Sequence, residues 1–161
     1  MSELDEAGPR GRLVLVTAAR ADARAALASA VAAHLQRAVV VDGAALEAAV
    51  TSGAVPGWDE PPTSEQLRRR LLRWSAALAV AETYQLEGLD AVVAEDALGD
   101  RLEDFLDLVE PEPVHVVVVR DGADPATPHW GLWVDGTDPV DATADDVVTR
   151  LADALVATSA T

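Results

Sequence analysis

Lysine and cysteine are both absent from this sequence of 161 residues, so all twelve of its basic residues are arginine. Without cysteine the chain can form neither a disulfide nor a thiolate metal site. Without lysine it has no side-chain ammonium group for binding or catalysis. No run of apolar residues approaches the length of a membrane-spanning helix.

Positive charge is scarce as well, since 28 acidic residues give a formal net charge of −16 and the isoelectric point is near 4.3. Such a surface repels phosphate at long range, so we expect neither nucleic-acid nor membrane partners. The N-terminal stretch MSELDEAGPRGR lacks the charged-then-apolar order of a signal peptide. We therefore expect a cytoplasmic protein, and the sequence leaves its oligomeric state open.

Short apolar runs alternate with helical patterns along the chain. The runs predict strands at 13–16, 38–42, 90–96, 113–120 and 131–135, and the patterns between them predict helices at 23–36, 44–50, 63–87 and 101–109. Thr143 is expected to cap a last helix that runs to about Val156. Near-continuous apolar strands are typical of a parallel sheet with helices on both faces. The prediction is a three-layer α/β domain of about five parallel strands over residues 12–161, after a mobile segment at 1–11.

Acidic residues lie at the carboxyl ends of most of the predicted strands, at the sheet edge where such folds bind ligands. Asp42, Glu95 and Asp96 could together form a metal site. Alternatively, each begins a turn or caps the next helix. For any single acid we favour the second interpretation, and we predict no metal.

Three stretches resemble the small P-loop phosphotransferase-like proteins related to chloramphenicol phosphotransferase and zeta-toxin-type kinases. They are VVVDGAALEAAVTSG (39–53), residues 64–119 beginning SEQLRRRLLRW, and GLWVDGTDPVDATADDVV (131–148). The resemblance covers roughly residues 12–156 and implies a P-loop kinase fold. It also implies that Asp42 binds the substrate or acts as a base, and that Asp96 lies near the metal and the phosphate. These two would be the catalytic residues if the protein is active.

The stretch RLVLVTAARADARAALASAV (12–31) falls where such a fold carries its phosphate-binding loop. After Thr17, the pattern G-x-x-x-x-G-K-S/T places Ala18 and Ala23 at its glycines, Arg24 at its lysine and Ala25 at its Ser/Thr. A phosphate-binding backbone adopts conformations that cost a residue with a Cβ about 1–2 kcal/mol each. Alanine has no hydroxyl for Mg²⁺. We expect a degenerate loop and no cofactor; ATP and Mg²⁺ belong only to the alternative of an active enzyme.

The family's lid, between its fourth and fifth strands, brings basic side chains over the nucleotide. Here the corresponding stretch DGADPATPHWGL (121–132) is too short for a lid helix and its connections. Arg120 and a neutral His129 are its only basic candidates. Phosphoryl transfer depends mostly on positioning the phosphate and neutralising its charge. The degenerate loop and the shortened lid therefore predict that the protein does not catalyse this reaction.

Arginines cluster in RRRLLR (68–73), where Arg69 and Arg73 lie four residues apart on one face of the long helix, with Trp58 and Trp74 nearby in sequence. One interpretation is an anion-binding pocket with aromatic walls, for a small substrate or a partner peptide. The other, slightly favoured, is a solvated arginine face paired with the many carboxylates, with Trp74 in the core. Arg69, Arg73 and Trp58 are the candidate substrate or partner residues.

Three functions remain open. The preferred prediction is a pseudoenzyme that has lost ATP binding and acts as a binding or regulatory protein, with a protein partner or a small anionic ligand. The first alternative is an ATP-dependent small-molecule phosphotransferase with an atypical nucleotide site. The second is a subunit whose active partner supplies the missing lysine.

Overall fold

A computed structural model describes residues 8–53 and 57–157 of the chain. Six strands form one sheet: β1 (Leu13–Thr17), β2 (Ala38–Asp42), β3 (Asp90–Ala94), β4 (Val114–Val119), β5 (Leu132–Val134) and β6 (Leu155–Val156). Five helices surround it: α1 (Ala21–His34), α2 (Gly43–Ala48), α3 (Ser64–Gln85), α4 (Arg101–Val109) and α5 (Val140–Thr149). A short 3₁₀ turn (Leu151–Ala154) connects α5 to β6.

The sheet has the order β2-β3-β1-β4-β5, and these five strands are parallel. The predicted three-layer α/β fold is therefore confirmed. Central β1 is buried on both faces, which explains its continuous apolar sequence. Leu13 and Leu15 pack with residues of α3 and α4, whereas Val14 and Val16 pack with residues of α1 and α5.

Helix α3 is long and packs on one face of the sheet. A capping box begins it, because Gln66 N–H donates to Thr63 Oγ1 at 3.1 Å and Thr63 N–H donates to Gln66 Oε1 at 2.9 Å. The amide N–H of Asp59 also donates to Gln66 Oε1, at 3.1 Å. Gln66 thereby holds the segment before the helix against the helix itself.

The C-terminal prediction is wrong in its details. Helix α5 begins at Val140, ahead of Thr143, and ends at Thr149. The chain then turns and adds β6 antiparallel to β4, with Val156 opposite Val114. Because β5 pairs only with Val117–Val119, the first residues of β4 have an open edge on that side. Strand β6 fills this edge, which satisfies backbone groups that a longer helix would leave unpaired.

At the N-terminus, residues 1–7 of the predicted mobile segment lie outside the described residues. The end of the segment is bound to α3, because Gly11 N–H donates to the Gln85 carbonyl at 2.9 Å and Gln85 Nε2 donates to the Gly11 carbonyl at 2.9 Å. Within residues 8–53 and 57–157, no helix has the combined length and apolar character needed to cross a bilayer.

Candidate functional site

The connection between β1 and α1 is a three-residue turn, residues 18–20. Helix α1 begins at Ala21, so Ala23, Arg24 and Ala25 lie in its first turns rather than in a loop. No residue other than glycine has a positive φ in the described parts of the chain. The turn therefore contains no left-handed backbone of the kind that lets successive amides curl around a phosphate.

The charged side chains at this turn are already engaged. Arg24, which stands at the lysine position of the loop pattern, is buried and donates from Nη1 to the Ala18 carbonyl at 2.8 Å. Asp22 accepts the Ala23 N–H at 2.9 Å. The hydrogen bond from Arg20 lowers the pKa of Asp22, so its carboxylate is ionised. The carboxylate of the Arg20–Asp22 ion pair thus occupies the helix N-terminus, where an anion would otherwise bind.

Beside the turn, buried Thr17 accepts the Ala97 N–H on its Oγ1 at 2.9 Å. This bond ties the end of β1 to the segment that follows β3. The hydroxyl of Thr17 is therefore committed to holding the sheet edge together.

The segment 120–131 between β4 and β5 contains no helix and folds against the start of α4. Gly99 N–H donates to Thr127 Oγ1 at 2.6 Å, and Thr127 is buried. The two basic candidates have other contacts: Arg120 Nη1 lies 4.0 Å from Asp135, and the His129 ring stacks on Trp133 with 4.2 Å between centroids.

The three acids considered for a metal site have separate roles. Asp42 accepts the Ala44 N–H at 3.1 Å and caps α2. Asp96 lies 3.3 Å from Arg101, while Glu95 pairs with Arg73 at 2.7 Å. Among the residues that the structure describes, no three His, Asp or Glu side chains gather into a group that could hold a metal ion.

A buried ion pair lies beneath the site. Glu95 is 1% exposed, accepts Arg73 Nε–H at 2.7 Å and accepts the Asp96 N–H at 3.0 Å. Arg73 also contacts Glu47 and is 18% exposed at its side chain. Burial raises the pKa of Glu95, although Arg73 acts in the opposite direction. Arg73 is therefore paired with carboxylates, as one interpretation expected, but it is not solvated.

Above this ion pair is a cavity of about 260 Å³ between α3, the segment around Trp58 and the end of β3. It brings the predicted residues Arg69, Arg73 and Trp58 together, next to Asp96. Its other lining residues are Glu47, Gly57, Gln66, Arg70, Trp74, Glu95 and Arg101. Trp74 forms part of the wall while its ring packs edge-to-face on Phe105, 5.4 Å between centroids, so its predicted core position is confirmed.

Arg70, which the sequence analysis did not select, is the distinctive residue of this cavity. Its guanidinium carbon lies 3.5 Å from the ring centroid of Trp58 and 5.8 Å from that of Trp74. Burial, and then the charge of Arg101, lower the pKa of Arg70 to about 10, which leaves it charged at neutral pH. A signal for it existed, because Arg70 precedes Trp74 by one helical turn and so shares its face.

No model of a protein family matches this sequence, and no curated protein does either. Several solved structures share its fold. The APS kinase CysC of Mycobacterium tuberculosis superposes with a TM-score of 0.67 at 18% identity, over 90% of this chain and 99% of that one. A gluconokinase from Sinorhizobium meliloti gives 0.56 at 14% identity, over 90% and 94%. A sugar kinase from Janibacter sp. HTCC2649 gives 0.51 at 16% identity, over 89% and 95%. Together with the strand order, these likenesses show that the chain has a P-loop kinase-like fold.

Proposed function

We propose that this protein is a non-catalytic binding or regulatory member of the P-loop kinase fold that has lost ATP binding. The observation that carries the proposal is the β1–α1 turn. It spans three residues without glycine, and it has the Asp22 carboxylate on the first turn of the helix that follows. A nucleotide phosphate brought to this turn meets the Asp22 carboxylate, and both nearby arginines are already bound, Arg20 to Asp22 and Arg24 to the Ala18 carbonyl.

The energetic loss is large. Each missing charged hydrogen bond to phosphate forfeits about 1.5–3 kcal/mol. A micromolar complex is worth only about 8 kcal/mol in total. A site that lacks the loop amides, the lysine and the Ser/Thr hydroxyl for Mg²⁺ therefore loses about the whole binding free energy of a micromolar complex.

The β4–β5 segment supports the same proposal. In a kinase, cations over the nucleotide neutralise the charge that develops in the transition state. Here Arg120 is paired with Asp135, and His129 is stacked on Trp133. The cavity beneath Trp58, in contrast, lies at the carboxyl edge of the sheet and is lined by arginines, which favours a binding role.

We expect that millimolar ATP with Mg²⁺ leaves the melting temperature unchanged. A micromolar site would stabilise the protein by about 4 kcal/mol at this concentration. For a chain of this size, that corresponds to a rise of about 10 °C. Thermal unfolding followed by circular dichroism measures the shift, with MgCl₂ and NaCl at matched ionic strength as the control. A rise of this size with ATP would contradict the proposal.

We also expect no release of labelled γ-phosphate from ATP, either by the natural chain or by a variant with Ala18→Gly, Ala23→Gly, Arg24→Lys and Ala25→Ser. The four changes restore the loop sequence but supply no lid cation, so weak nucleotide binding is the most they can recover. The control is Asp96→Asn in both backgrounds. Turnover by the natural chain that disappears with Asp96→Asn would instead favour the phosphotransferase alternative.

A further inference from the structure

We propose that the cavity between α3, Trp58 and Asp96 binds a small anion that also carries hydroxyl groups, with Arg70 as its principal cation. The inference rests on the proposed function, since it names the ligand class of the binding site that such a role requires. Phosphorylated and carboxylated polyols belong to this class.

The first argument is charge. Arg73 is neutralised by Glu47 and Glu95, and Arg101 lies beside Asp96. Arg70 differs, because no carboxylate of the described residues lies within 4.0 Å of its guanidinium, although the chain as a whole is strongly acidic. The charges of Asp96 and Glu95 act on Arg70 only from beyond this distance. This half-buried cation therefore has no direct ion-pair partner to offset its desolvation cost, and an anionic ligand would provide one.

The second argument is orientation. With the ring of Trp58 against one face of the Arg70 guanidinium, the ligand-binding N–H groups lie in the plane of the fork, at its edges. This stacking restricts the side chain before any ligand arrives. A planar fork held in this way matches the paired oxygens of phosphate or carboxylate.

The third argument is a pair of polar atoms without hydrogen-bond partners. Nη2 of Arg73 is buried and has no hydrogen-bond partner among the described residues; Oδ1 of Asp96 is also buried and makes no hydrogen bond there, although it lies 3.3 Å from Nη2 of Arg101. Both residues line the cavity. One atom is a donor and the other an acceptor, and the hydroxyl groups of a ligand can both accept and donate hydrogen bonds. The volume of about 260 Å³ lies below the range usual for larger ligands, so the molecule is small.

The test is isothermal titration calorimetry at neutral pH and low salt with four probes. Glycerol 3-phosphate carries the anion and the hydroxyls, propyl phosphate and inorganic phosphate carry the anion alone, and glycerol carries the hydroxyls alone. We expect glycerol 3-phosphate to bind at least about tenfold more tightly than each of the others. Glycerate in place of glycerol 3-phosphate separates a carboxylate from a phosphate ligand.

Arg70→Gln is expected to weaken glycerol 3-phosphate binding by about tenfold to a hundredfold. Arg70→Lys, which keeps the charge but not the planar fork, should give an intermediate affinity. The matched control is Arg68→Gln, two residues earlier on the same helix, exposed and outside the cavity. Circular dichroism checks that each variant folds.

Two results would overturn the inference: no binding of glycerol 3-phosphate or glycerate, or equal losses with Arg70→Gln and Arg68→Gln. Its failure is distinguishable from failure of the proposed function. Tight binding of ATP that Arg70→Gln leaves unchanged would contradict the proposed loss of nucleotide binding. The comparison among the small probes tests only the ligand class of the cavity.

Discussion

Replacing Arg73 by glutamine is expected to lower the free energy of unfolding by about 3–5 kcal/mol at neutral pH. The change removes the cation that lies 2.7 Å from Glu95, a carboxylate with only 1% of its surface exposed. An ionised group left alone in the interior is much more costly than a lost surface ion pair. Chemical denaturation of the natural chain and the variant at pH 8 measures the difference.

The effect should depend on pH, and its sign follows from the pKa of Glu95. Burial already raises this pKa in the natural protein, and loss of Arg73 removes the main opposing influence. A carboxyl group with a raised pKa in the folded state binds its proton more tightly there than in the unfolded chain. Stability then falls as the pH rises from the ordinary carboxyl value through the raised folded value.

The deficit of Arg73→Gln should therefore be small near pH 4.5, the ordinary value for this side chain, and large at pH 8. Arg68→Gln is the control, because an exposed arginine should change stability by less than about 0.5 kcal/mol at either pH. Adding Glu95→Gln to Arg73→Gln should recover much of the loss at pH 8. An Arg73→Gln deficit of equal size at both pH values would show that Glu95 is not the cause.

The sheet was predictable because its central strands are buried on both faces, so the apolar runs at 13–16 and 90–96 are local signals of a parallel sheet. Helix α4 was predicted at its observed bounds for a similar reason, since its apolar residues repeat with helical spacing. Strand β6 was not predictable in this way. It depends on an open edge of β4, more than thirty positions away along the chain.

The candidate site, like the fold, was predictable only where the signal is local in the sequence. Sequence placed Asp42, Glu95 and Asp96 at one edge of the sheet, because each lies at or just after the carboxyl end of a strand. It could not show that Glu95 pairs with Arg73, 22 residues earlier, since that pairing depends on how α3 crosses the sheet. Nor did the loop pattern show that α1 begins at Ala21. The many alanines, without glycine to interrupt them, favour helix up to that point.

Gly43→Ala is expected to destabilise the protein by about 3 kcal/mol, through the same buried carboxylate. A Cβ on Gly43 would lie 1.6 Å from Glu95 Oε1 and 2.9 Å from Arg73 Nε. Glu95 cannot move aside freely, because it is buried and bound to Arg73 and to the Asp96 N–H. Denaturation of the natural chain and the variant at pH 8 measures the cost.

The cause can be separated from any backbone effect by repeating Gly43→Ala in a Glu95→Ala background. Gly43 does not have the positive φ that excludes other residues, and it begins helix α2. Once the carboxylate is gone, the remaining close approach is to Arg73 Nε, and this flexible side chain can shift because it no longer pairs with residue 95, so alanine should fit at position 43. Its better helix propensity should then stabilise the protein by about 0.5–1 kcal/mol. The substitution is thus expected to change sign between the two backgrounds. A similar loss in both would show that the backbone, rather than the carboxylate beneath it, requires glycine.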